Sequence, residues 1–138
     1  MKKSIWFNQI GLFQKLLFEK YTFFTGVPDS SLRVFIEEVN KFNLINVVAT
    51  HESQAIGIAV GAEMAGKKSC VYLQNSGIGN VVNPISSLCL PFKIFPLLII
   101  GHRHTIPQHE VMGRTDEKIL DLLEYKNYIL VKKDNDVK

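Results

Sequence analysis

Hydrophobic and polar positions change their period several times along the chain, and each change marks an element. Phe7, Ile10, Phe13, Leu16 and Leu17 recur at helical spacing, which predicts an amphipathic helix near the start. YTFFTGVP, residues 21–28, is a short β-branched and aromatic run stopped by Gly26 and Pro28, the pattern of a strand and turn. Asp29 or Ser30 then caps a helix whose apolar positions Leu32, Phe35, Ile36 and Val39 share one face. INVVAT (45–50) reads as a second, buried strand, and residues 52–66 as a helix covered mostly by Ala and Gly. SCVYLQ (69–74) is a third strand, after which a helix starts at Asn80 with Pro84 tolerated in its first turn. FPLLIIG (95–101) is a fourth strand, apolar on both faces. Residues 115–126 read as a short helix and 127–132 as a last strand.

Continuous apolar strands alternating with helices predict an α/β fold, a three-layer doubly wound sheet, mostly parallel and covered on both sides. Ligands of such sheets gather beyond the carboxyl ends of the strands. The polar segments that follow the strands are TGVPDSS (25–31), THES (50–53), QNSGIGN (74–80) and GHRHTIPQHEVMGR (101–114). All four are therefore expected along one edge of the sheet.

Composition adds limits. A chain of 138 residues suits a single domain with one core, and 46% hydrophobic with 21% charged residues is an ordinary globular balance. Asn8, Gln9, Gln14 and Lys15 interrupt the first apolar stretch, and no small-residue cleavage site follows. Neither a secretion signal nor a membrane span is expected. The net charge of +3 is spread over scattered lysines with no basic, aromatic-interleaved stripe, so nucleic acid is not expected as a partner. Cys70 and Cys89 form no CxxC pair and are expected as buried thiols of a cytoplasmic protein. VKKDNDVK at the end reads as a solvated tail.

Three features carry candidate chemistry. Glu52 opens the helix that contains Ala55, Gly57, Ala59, Gly61 and Ala62. First-turn carboxylates are commonly favoured by the helix dipole alone. Here the glycines cost helicity and are best explained by close packing against another backbone. Packing on both sides would leave Glu52 in a low-dielectric site, where its pKa is expected to rise and a catalytic role becomes reasonable. SGIGN (76–80) has the glycines of an anion-holding turn, but it is neither GxGxxG nor a Walker loop. A plain strand-to-helix turn needs glycines too. His102, His104 and His109 share a segment with Arg103 and Arg114, which fits either surface histidines or an anion pocket. No ligand pattern for a metal accompanies them.

Taken in series, FFTGVPDSSL, HESQAIGIAVGAEMAGKK, VYLQNSGIGNVVNPISSL, PLLIIGHR and PQHEVMGRT resemble the pyrimidine-binding half of thiamine-diphosphate-dependent 2-oxo acid decarboxylases. The likeness is strongest to phosphonopyruvate decarboxylase and next to the alpha subunit of sulfopyruvate decarboxylase. It runs from about Tyr21 to Leu123 and makes residues 1–138 a single pyrimidine-binding domain. By this resemblance Glu52 shares a proton with N1′ of the cofactor's aminopyrimidine, which lets the 4′-imine take the proton from C2 of the thiazolium. Asp29 and His109 would relay protons near the nascent aldehyde. Asn75, Ser76, Gly77 and Asn80 would line the cofactor cavity. Gln74, His102, Arg103 and Arg114 would meet a small anionic 2-oxo acid.

The family's second domain holds the cofactor's diphosphate through Mg²⁺ with a Gly-Asp-Gly segment and paired asparagines. Neither feature occurs in this sequence. The resemblance therefore implies half of an active site, completed by a separate diphosphate-binding (beta) subunit or by a missing C-terminal domain. It also implies a homo-oligomer packed through the small-residue helix. Of the two substrates, the motifs favour phosphonopyruvate, while a short separate chain favours the sulfopyruvate pattern of organisation. Phosphonopyruvate is the expectation. The alternatives are the alpha subunit of a sulfopyruvate decarboxylase and a non-catalytic regulatory subunit of the same fold.

Overall fold

The computed structural model describes residues 2–6 and 10–132. Among these, six parallel strands form one sheet in the order β1-β6-β5-β4-β2-β3. They are β1 (Lys2–Trp6), β2 (Phe23–Gly26), β3 (Ile45–Val48), β4 (Ser69–Gln74), β5 (Leu97–Gly101) and β6 (Tyr128–Lys132). Of the central strands, β5 is apolar throughout and β4 is apolar at Cys70, Val71, Tyr72 and Leu73, because both their faces are covered. Cys70, Tyr72, Leu97, Ile99, Ile129 and Val131 pack with residues of α1 (Ile10–Lys20) and α2 (Arg33–Lys41). The alternate residues Val71, Leu73, Leu98, Ile100, Tyr128 and Leu130 pack with α3 (Glu52–Met64), α4 (Ile78–Pro84) and the end of α6 (Pro107–Leu122). A π-helical turn, Ile85–Cys89, and the short α5 (Leu90–Phe92) follow α4. These are the three layers expected.

The strand order explains where a ligand would go. From β2 the chain winds outward to β3, then crosses back over β2 to β4 and continues through β5 to β6. The connection after β2 leads to α2 on one face, and that after β4 leads to α4 on the other. Their loops diverge at the carboxyl ends of β2 and β4, the topological switch point where ligands of such sheets gather. Gly26 ends β2 opposite Tyr72, whose carbonyl a side chain at position 26 would strike.

Several elements differ from the sequence reading. β1 is an additional edge strand ahead of the first helix. Phe7 and the tail beyond Lys132 lie outside the described residues. β3 is not buried: Ile45, Val47 and Val48 are 46%, 38% and 59% exposed, because β3 is an edge strand. The glycine turn after β4 is helical throughout, a 3₁₀ turn Asn75–Gly77 running into α4 at Ile78. Pro84 accordingly ends α4 and is not in its first turn. A proline cannot donate to the carbonyl four residues back, and Ser53 Oγ donates to the Asn80 carbonyl instead. The long polar segment after β5 is mostly helix, since α6 begins at Pro107 and places His109 and Arg114 on helical turns. No described helix is long and apolar enough to cross a membrane.

Candidate active site at the strand ends

Glu52 is the first residue of α3, directly beyond the edge strand β3. His51 caps the helix, its Nδ1 accepting from the Ser53 amide at 3.2 Å. The Glu52 side chain lies back against the 3₁₀ turn after β4. A Cβ at Gly77 would sit 2.7 Å from Glu52 Oε1 and 2.8 Å from Cδ, so glycine is what lets the carboxylate rest there. Asn80 Nδ2 donates to Glu52 Oε2 at 2.8 Å. Ser53, bonded to the Asn80 carbonyl, ties the same two helices one residue further on. Glu52 is half-buried. The expected packing of α3 on both sides does not occur among the described residues, since a side chain added at Gly57 or Gly61 would meet nothing within 4 Å.

A second cluster joins three strand ends. Asp29 caps the 3₁₀ turn Ser30–Leu32, and its Oδ2 accepts from the Ser31 amide at 2.7 Å and from Ser31 Oγ. Arg103, beyond β5, places Nη2 3.4 Å from Asp29 Oδ1 and donates to Ser30 Oγ. Asn75 is fully buried between them, its Nδ2 donating to the Arg103 carbonyl at 2.6 Å. Asn75 Oδ1 is buried without a partner among the described residues. Such an orphaned acceptor is rare in folded chains and points to a missing donor.

Beside this cluster, Gln74 Nε2 lies 2.8 Å from His109 Nδ1. The structure therefore brings together Asp29, Arg103 and Asn75, then Glu52, Gly77 and Asn80, then Gln74 and His109. Ser76 stands exposed between them. His102 does not join these groups. It is 7% exposed, and its Nδ1 lies 2.7 Å from Asp116 Oδ2. Its burial contradicts the surface position that is one of the two readings of its segment. Arg114 is exposed and pairs with Glu110 one helical turn away at 3.6 Å. With His104, Thr105, Ile106 and Pro107 these two line a cleft of about 370 Å³.

Sequence reasoning missed Ser31, Ser53 and Asp116. Asp-Ser-Ser after a proline is a side-chain capping signal that predicts Ser31. Pro84 four residues after Asn80 predicts that some donor must serve the Asn80 carbonyl. Nothing in the sequence marks Asp116 as the partner of His102. Both thiols are buried as expected, and burial pushes Cys89 up to about 11.

The chain is 40% identical over 126 residues to sulfopyruvate decarboxylase subunit alpha of Methanocaldococcus jannaschii, covering 88% of this chain and 75% of that protein. The chain belongs to the family of sulfopyruvate decarboxylase alpha subunits. The family's Methanococcus maripaludis member is 33% identical over 118 residues, which cover 82% of this chain and 71% of that subunit. Phosphonopyruvate decarboxylase of Streptomyces viridochromogenes is 36% identical over 105 residues, covering 72% of this chain but 26% of that enzyme. No family model matches the chain. Among solved structures, a 2-oxoglutarate:ferredoxin oxidoreductase from Magnetococcus marinus shares the fold, with TM-score 0.58, 14% identity, and coverage of 87% of this chain and 27% of that one. Both decarboxylases anticipated from the motifs are thus among the relatives, with the higher identity on the sulfopyruvate side.

Proposed function

We propose that this chain is the pyrimidine-binding half of a thiamine-diphosphate-dependent decarboxylase for a three-carbon 2-oxo acid with an anionic group on its third carbon. Sulfopyruvate is the leading substrate, because family members of comparable length carry that name. Phosphonopyruvate, favoured by the motifs, is the second. The observation that carries the reading is the Glu52 carboxylate laid over Gly77 and held through one oxygen by Asn80. A carboxylate with one fixed oxygen, beside backbone cleared of a side chain, fits a group that must exchange a proton with an aromatic nitrogen. The orphaned Asn75 Oδ1 adds a free acceptor at the same edge.

Bound thiamine diphosphate supplies a nucleophilic carbon that adds to the keto group and a cationic ring that takes up the electron pair left by carbon dioxide. Glu52 gives and takes a proton at its carboxylate, with Oε2 engaged by Asn80 and Oε1 lying against Gly77. Asp29 and His109 are the groups for moving protons to the product, His109 being held by Gln74. Of the three cationic candidates for the substrate's remote charge, Arg114 is the one able to turn to it. Its partner Glu110 is exposed, and an exposed pair of this kind is worth roughly 0–1 kcal/mol.

The chain has no Gly-Asp-Gly segment. Mg²⁺ and the diphosphate are therefore assigned to a partner subunit or further domain. The open side of α3 is the proposed surface for association, with that partner and with a second copy of the chain, in the cytoplasm. The test is carbon dioxide release from sulfopyruvate and from phosphonopyruvate by this chain with its partner, thiamine diphosphate and Mg²⁺, against each chain alone. Turnover in the mixture alone is expected. A cofactor-loaded complex inactive on both acids would overturn the reading.

A further inference from the structure

Arg103 belongs to the loop after β5, yet its guanidinium acts on the loop after β2. β4 lies between those strands, so the side chain crosses the end of β4 to reach its partners. Nη2 is 3.4 Å from Asp29 Oδ1 and 3.5 Å from Oδ2, and it donates to Ser30 Oγ. The backbone of the same residue is fixed from below. Its carbonyl accepts Asn75 Nδ2 at 2.6 Å, and a side chain at Gly113 would stand 2.7 Å from that carbonyl. Both ends of Arg103 are therefore anchored, one on each side of the switch point.

Burial decides what the guanidinium is for. The Asp29 and Arg103 side chains are 9% and 25% exposed, whereas Glu110 and Arg114 are 57% and 66% exposed. Solvent and salt screen the outer pair far more than the inner one. For Arg103 to turn to a substrate anion, it would have to leave a nearly buried carboxylate uncompensated, which proteins avoid. Asp29 is meanwhile aimed by three groups: the Ser31 amide and hydroxyl on Oδ2, and Arg103 closing toward Oδ1.

We propose that Arg103 is a positioning residue that fixes the Asp29 carboxylate across the switch point, not the residue that reads the substrate's remote charge. The proposal rests on the decarboxylase reading above and assigns roles within that site. A positioning residue acts through Asp29, so its loss lowers kcat and leaves KM nearly unchanged. A charge-reading residue does the reverse.

The test uses the assembled complex and compares wild type, Arg103→Met, Asp29→Asn and the double variant. Arg103→Met is expected to lower kcat about tenfold to a hundredfold with KM within about twofold. The double variant is expected to be no slower than Asp29→Asn alone, since both substitutions break one unit. A raised KM with kcat intact overturns the proposal, as does an additive loss in the double variant. A second readout is independent of turnover: proton exchange at the Arg103 guanidinium, followed by nitrogen-15 NMR. It is expected to be slower than at Arg114 in the wild type and to speed up in Asp29→Asn. Fast exchange in the wild type overturns the proposal. If the wild-type complex decarboxylates neither acid, the decarboxylase reading fails, and the exchange measurement still decides whether Arg103 is tied to Asp29. The same measurement decides it if Arg103→Met does not fold.

Discussion

Replacing Gly77 by alanine should separate folding from chemistry. Gly77 has φ −74° and ψ −9°, which alanine adopts without strain. Such a replacement stabilises by about 0.4–1 kcal/mol through the unfolded chain. The added Cβ would lie 2.7 Å from Glu52 Cγ and Oε1, against 3.4 Å for ordinary contact, so the carboxylate must move by at least about 0.7 Å. Glu52 is a flexible side chain that can swing aside at the cost of its Asn80 hydrogen bond, roughly 1 kcal/mol. The two stability effects nearly cancel, and Tm is expected to stay within about 5 °C. Function has no such compensation, because misplacing a catalytic group by about 1 Å costs on the order of a hundredfold in rate. Gly79→Ala is the matched control. It makes the same chemical change two residues on, where the new methyl meets nothing within 4 Å. The assay is carbon dioxide release by the assembled complex, paired with thermal melts followed by circular dichroism. A Gly77→Ala complex with turnover within about threefold of wild type and an unchanged melt would refute the placement of Glu52 in the chemistry.

Further substitutions probe the other parts of the site. Glu52→Gln keeps the shape but cannot exchange the proton; it should lower turnover by roughly 10²–10⁴-fold while leaving assembly, read by size-exclusion chromatography, intact. Arg114→Gln should raise KM for the keto acid about tenfold with kcat little changed, and an unchanged KM would remove Arg114 from substrate recognition. Ser53→Ala leaves the Asn80 carbonyl without its donor and should cost about 1 kcal/mol, lowering Tm by about 4 °C in melts of the assembled complex. Burial raises the Cys89 thiol from 9.0 to about 11, favouring the neutral folded form. That contribution to stability is full below pH 9 and is lost as pH rises toward 11. Neither thiol should react with a thiol-specific chromogenic reagent at pH 8 until the protein is unfolded.

The fold was legible where local pattern and burial agree. SCVYLQ and the apolar core of FPLLIIG became the two fully enclosed strands β4 and β5, because helices cover both their faces. The place of Glu52 at the first turn of a helix was legible from the change of pattern after the strand INVVAT. The partners of each site residue were not, because they depend on which loops the strand order brings together. Asp29 and Arg103 are 74 positions apart and meet only because β4 alone separates β2 from β5. The segment after β5 looked like a loop because it is polar and histidine-rich. Pro107 at a helix start and the Glu110–Arg114 spacing were the signals that it turns helical.

β3 teaches the opposite lesson. An apolar strand is buried only if something covers it, and among the described residues INVV is packed by α2 on one face alone. Asn46 bonds to Tyr72 and Asn40 on the α2 side of the sheet. Ile45 and Val47 must then face the α3 side, because side chains alternate along a strand. There α3 packs over β2 and β4 and stops short of β3. Those two residues, 46% and 38% exposed, lie on the same side of the sheet as α3, whose Gly57 and Gly61 have open space above them. On the association proposed above, the apolar sequence of β3 and the glycines of α3 share one explanation: both face the surface assigned to a partner. Val47→Glu tests this, since at an exposed position the charge costs the isolated fold little. It should leave the circular dichroism spectrum unchanged while abolishing co-elution with the partner subunit. Undiminished co-elution would place the association surface elsewhere on the chain.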